Sequence, residues 1–117
     1  MRRARVLAAA TLLAALPVAP SLAAPLPSNP ACAADAIAQA RKLLAFHFGE
    51  DDRISIDDTA KPLLSIANPA NKRQRFDVLE VWGFIYKGQY RMRFEYFRMQ
   101  HGGCLLMGQE ILEYASP

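Results

Sequence analysis

The chain has 117 residues and a formal charge of +3, from 14 basic and 11 acidic side chains, with two cysteines and two histidines. Three basic residues, Arg2, Arg3 and Arg5, open the chain with no acid near them, so the remainder carries 11 residues of each sign. A balance near zero outside that start excludes the electrostatic case for nucleic acid or anionic lipid as partner, and the length allows one domain with one modest core.

The opening itself reads as a leader. Arg2, Arg3 and Arg5 precede an apolar run from Val6 to Leu16, followed by Pro17 and Pro20 and then Ser21-Leu22-Ala23. A basic start, an apolar run and small residues three and one before a cut are the parts of a secretory signal peptide. The run is too short for a transmembrane segment, which needs roughly 20 apolar residues. Removing residues 1–23, with cleavage after Ala23, leaves 94 of the 117 residues. The expected location is the periplasm or the medium, an oxidising compartment. Cys32 and Cys104 are the only cysteines and allow one intramolecular pairing. The chain-entropy model values closing that loop at about 4 kcal/mol. A lipid anchor on Cys32 is disfavoured, because Asn29-Pro30-Ala31 lacks the apolar-then-small pattern such a signal needs.

Residues 24–28 form a Pro-rich tail, expected to be disordered, ahead of a single domain at 29–117. Asn29-Pro30 signals a helix start, with Asn supplying the capping oxygen and Pro the preset first position. Ala33, Ile37, Ala40, Leu44 and Phe48 fall on one stripe, with Cys32, Ala36 and Leu43 beside it, and Gly49 is the natural stop. Strand patterns follow. Arg53–Asp57 alternates, Leu63–Ile66 reads as an edge strand, and residues 70–75 as a polar loop. Phe76–Tyr86, Tyr90–Met99 and Cys104–Tyr114 are the strong strands, turned at Lys87-Gly88 and around Gly102-Gly103. The fold class is α+β: one N-terminal helix packed on a curved antiparallel sheet of about four strands, with a helix–sheet disulfide.

A two-residue turn at Lys87-Gly88 sets Ile85 opposite Tyr90, Gly83 opposite Met92, Val81 opposite Phe94 and Leu79 opposite Tyr96, one apolar face that Met107 and Ile111 can extend. The other face carries Phe76, Val78, Trp82, Phe84 and Phe97 together with Arg91, Arg93 and Glu95, and sets Glu80 against Glu95. The pattern does not decide which face the helix covers. Cys104 is in phase with the second.

Catalytic candidates are few. With both cysteines in a disulfide no thiol nucleophile remains, and His47 near the helix end and His101 in a turn suit capping or surface roles. No nucleophile elbow, zinc-binding pair, phosphate loop or dinucleotide fingerprint is present, so no catalytic residue, metal site or cofactor is assigned. The second sheet face is the candidate binding face. It sets Trp82 opposite Arg93 and Phe84 opposite Arg91, residue types enriched at binding hot spots.

The run Val78-Leu79-Glu80-Val81-Trp82-Gly83-Phe84-Ile85-Tyr86-Lys87-Gly88-Gln89-Tyr90-Arg91-Met92-Arg93-Phe94, with Cys104–Glu113 after it, resembles the small secreted bacterial proteins known as quorum-sensing-regulated virulence factors. The resemblance implies a small exported α+β protein of one helix and about four strands, and an association with virulence or cell-density regulation. It carries no catalytic residues. The leading expectation is a monomeric, non-enzymatic exported binding protein whose partner is another envelope or secreted protein. A periplasmic carrier of a small apolar ligand is the alternative, suggested by Met92, Met107 and the aromatics, and an envelope hydrolase is the third reading.

Overall fold

The computed structural model of the protein describes residues 4, 8–15 and 25–114. The leader at 1–23 and its cut after Ala23 lie largely outside the described residues. Within it, residues 8–15 form no helix or strand and are exposed.

The helix starts where capping chemistry places it. Asn29 accepts the Ala31 N–H on its side chain at 2.8 Å, and a 3₁₀ turn at Pro30–Cys32 leads into helix α1, Ala33–Phe48. Gly49 ends it at φ 108°, a conformation open to glycine, with its N–H donating to Ala45 O at 2.8 Å. The buried side is Ala36, Ala40, Leu43 and Leu44, while Phe48, expected on that stripe, is half exposed.

Helix α1 is not at the N-terminus, because the residues expected as a disordered tail already belong to the domain. Leu26 O accepts the Ser65 N–H at 2.8 Å, Ser28 N–H donates to Leu63 O at 3.0 Å, and the Ser28 hydroxyl accepts the Val78 N–H at 2.7 Å. Ser28 is buried, so these bonds satisfy backbone groups that would otherwise be unpaired beside the sheet.

The sheet has six strands rather than four. β1 (Ile54–Ile56), β2 (Lys61–Pro62) and β3 (Ile66–Asn68) each pair antiparallel with β4 (Asn71–Ile85). Strand β5 (Gly88–Arg98) pairs with β4, and β6 (Cys104–Tyr114) with β5. β1, β2 and β3 meet β4 at Gly83–Ile85, Leu79–Glu80 and Arg75–Phe76 in turn, so they form one interrupted edge. The residues expected as a loop at 70–75 extend β4 instead, because Asn68 and Asn71 make the turn by accepting the Ala70 and Arg73 N–H groups.

The β4–β5 turn falls at Tyr86-Lys87, not at Lys87-Gly88. Ile85 therefore faces Gly88, Gly83 faces Tyr90, Val81 faces Met92 and Leu79 faces Phe94. Tyr86 takes the positive φ, at 51°, that a glycine was expected to supply. Gly88 serves another purpose: a Cβ there would stand 3.0 Å from the Tyr90 ring and 3.1 Å from its hydroxyl. The shift is two residues, and two residues restore the pleat phase, so the expected faces survive while every cross-strand partner changes.

Helix α1 covers the face of Leu79, Val81, Ile85, Tyr90, Met92, Phe94 and Tyr96. Gly83 lets it approach, since a Cβ there would lie 2.8 Å from Leu44 Cδ2 and 2.9 Å from Met92 Cε. The phase of Cys104 pointed to the opposite face because it assumed an unbroken β6. The ladder slips between Glu95, opposite Gly108, and Tyr96, opposite Leu106. That bulge brings Leu106 and Cys104 to the helix side, where Cys104 is bonded to Cys32. Ile111 packs on the core as expected, but Met107, at the bulge, is 46% exposed.

Candidate functional site

With the helix on one side of the sheet, the other side is left open among the described residues. This open face holds Trp82 and Phe84 on β4, Arg91 and Arg93 on β5, and Glu110, Leu112 and Tyr114 on β6. All four residues singled out from sequence lie on it. Their partners differ from those expected: Trp82 stands opposite Arg91, Phe84 opposite Gln89, and Arg93 opposite Glu80.

Charge organises the centre. The buried Glu80 carboxylate accepts Arg93 Nε at 2.9 Å on one oxygen and Trp82 Nε1 at 3.1 Å on the other. The expected clash of Glu80 with Glu95 does not arise, because the register places Val78 opposite Glu95. Pairing and hydrogen bonding are what make a buried carboxylate tolerable, and here they also fix the Trp82 indole and the Arg93 guanidinium. Glu110 reaches Arg93 at 3.8 Å and Arg91 at 4.0 Å, long contacts at a half-exposed carboxylate. Arg91 Nε is buried with no hydrogen-bond partner among the described residues.

Two apolar features flank this network. The Tyr114 ring lies 5.2 Å from Trp82, and with Leu112 and Phe84 it forms an exposed ridge. On the other side a groove of about 450 Å³ runs between Leu63, Leu64, Ile66 and Val78 and the polar wall of Arg93, Glu95 and Glu110. Leu64 is 59% exposed. Glu110, Tyr114 and the Leu64 groove were not part of the sequence-derived face, and Glu80, which was, had been set against Glu95. A turn placed one residue earlier would have put Glu80 opposite Arg93.

The comparisons with known proteins are empty. No protein-family model matches the chain, and no curated protein or solved structure matches it.

His47 and His101 are not brought together with a nucleophile. His47 is exposed and meets the Tyr90 ring edge-on at 6.1 Å, and His101 is exposed in the β5–β6 turn. Among the described residues no group of three or more His, Cys, Asp or Glu side chains could hold a metal ion, and no helix is long and apolar enough to cross a membrane.

Proposed function

We propose that this is an exported bacterial binding protein that acts without catalysis and engages another envelope or secreted protein through its open sheet face. One observation carries the reading: helix α1 packs on the opposite side, so Trp82, Phe84, Arg91 and Arg93 serve no core and remain available. Trp, Tyr and Arg are the side chains that dominate binding energy at interfaces, most strongly where they are held in place before the partner arrives. Glu80 provides that hold, and the Leu64 groove offers a recess for a partner's apolar side chain. The leader and the Cys32–Cys104 disulfide support export. The resemblance to quorum-sensing-regulated virulence factors adds a setting, an association with virulence or cell-density regulation, without a mechanism. The periplasmic apolar-ligand carrier takes second place, because the space between helix and sheet is filled by Leu44, Leu79, Met92 and Phe94, all fully buried.

Capture from the host's envelope and medium fractions tests the reading. The tagged domain is compared with a Trp82→Ala/Arg91→Glu variant and with Phe46→Ser, which alters a 90% exposed residue on the far side of the helix. A single protein retained by wild type and Phe46→Ser but lost by the open-face variant is the expected result. Equal retention by all three would place binding elsewhere.

A further inference from the structure

A second site lies at the end of the sheet near the start of the helix and does not depend on the open-face reading. There Arg75 and Arg98 line a cavity of about 330 Å³. Each guanidinium is oriented by bonds behind it. Arg75 donates Nε to the Ser65 hydroxyl at 2.9 Å and Nη2 to the Ser65 carbonyl at 2.8 Å. Arg98 donates Nε to Asp77 Oδ2 at 2.8 Å, and the other oxygen of that buried carboxylate accepts the Asn29 N–H at 2.8 Å. Arg75 has no acidic partner among the described residues. Arg75 Nη1 and both terminal nitrogens of Arg98 have no protein acceptor among them either. Two cations against one carboxylate leave the site with an excess positive charge. The remaining walls, Leu26, Pro27 and Phe97, are apolar.

The geometry points to a binding site for a small organic carboxylate with an apolar body. The carboxylate bridges the outward nitrogens of Arg75 and Arg98, and its hydrocarbon part lies along Leu26, Pro27 and Phe97. Planar guanidinium forks held in place suit carboxylate oxygens, because charge-assisted bonds form with little ordering left to do. The apolar walls distinguish this from a site for a bare inorganic anion, which would gain nothing from them. Ordering of Leu26 and Pro27 against Ser65 builds part of the wall, which gives those residues a use beyond edge protection.

Hexanoate is the probe, followed by amide chemical-shift titration of the domain with its disulfide intact. For a ligand of this size a saturable response with a Kd on the order of 1 mM is expected, centred on Ser65, Arg75 and Phe97. Hexanamide, which lacks the charge, and inorganic phosphate, which lacks the hydrocarbon, should each bind at least roughly tenfold more weakly. Arg75→Gln should weaken hexanoate by a similar factor, and Arg75→Lys should recover only part of it. Arg75 is exposed and anchors nothing buried, so the fold is expected to survive either change. No saturable response, equal binding of hexanamide or phosphate, or unchanged binding by Arg75→Gln would each overturn the assignment. Loss of partner capture through the open face would leave it standing, since the two sites use different residues.

Discussion

Gly83→Ala tests whether the helix covers the Leu79–Val81–Ile85 face. The new methyl would meet Leu44 Cδ2 at 2.8 Å, Met92 Cε at 2.9 Å and Ile56 Cδ1 at 3.1 Å. Leu44 and Met92 are fully buried, so neither can turn outward to make room. Overpacking of this kind typically costs about 1–3 kcal/mol. Replacing a strand glycine returns about 0.5–1 kcal/mol, mostly by narrowing the unfolded ensemble. The net loss is therefore about 0–2.5 kcal/mol, centred on roughly 1. With a urea m-value of about 1 kcal/mol/M, the unfolding midpoint should fall by roughly 1 M, measured with the disulfide intact. A double-mutant cycle sharpens the attribution. Leu44→Ala alone should cost about 2–5 kcal/mol through the cavity it leaves. Combined with Gly83→Ala the losses should fall short of additive by about 1 kcal/mol, because the methyl enters that cavity. A neutral or stabilising Gly83→Ala, additive with Leu44→Ala, would refute the reasoning. That pattern is what a methyl on an uncovered strand would give.

Three further expectations follow from the same geometry. Reduction of Cys32–Cys104, which closes a separation of 72 residues, should lower stability by about 4 kcal/mol in the chain-entropy model, read from urea midpoints with and without reductant. Arg93→Ala leaves the buried Glu80 carboxylate with only the Trp82 N–H, a loss of about 1–3 kcal/mol that Glu80→Gln should largely reverse in the double variant. Burial followed by the nearby Asp35 charge pushes the Tyr96 phenol up from 10.0 to about 12. The folded state therefore holds that proton more tightly than the unfolded one, and the contribution is complete below pH 10 and lost as pH rises toward 12. Stability measured against pH should fall across that window, and the fall should shrink in Tyr96→Phe.

Asn29, Pro30 and Gly49 made the helix legible, because caps act through local geometry that tertiary contacts did not override. The membership of each sheet face was legible for a different reason: period-2 alternation survives a two-residue slip, so Trp82, Phe84, Arg91 and Arg93 share a face under either turn. Their partners were not legible, since choosing between Tyr86-Lys87 and Lys87-Gly88 depends on the Tyr90 ring crossing Gly88, a contact made only in the folded sheet. The side covered by the helix was hidden by the bulge at Met107, which reverses the phase of Cys104; Gly108 beside it was the one local sign, since an isolated strand glycine often marks a bulge. The interrupted β1–β2–β3 edge and the docking of Leu26–Ser28 rest on backbone bonds to Leu63, Ser65 and Val78, which short polar or Pro-rich segments do not signal.

Trp82 is the only tryptophan and sits at the centre of the proposed binding face, so its fluorescence reports on that face directly. Quenching by a small neutral quencher, measured on the domain alone and saturated with the captured partner, is the decisive comparison. The account predicts ready quenching alone and strong protection in the complex. Equal quenching in both, with the partner still bound, would contradict it.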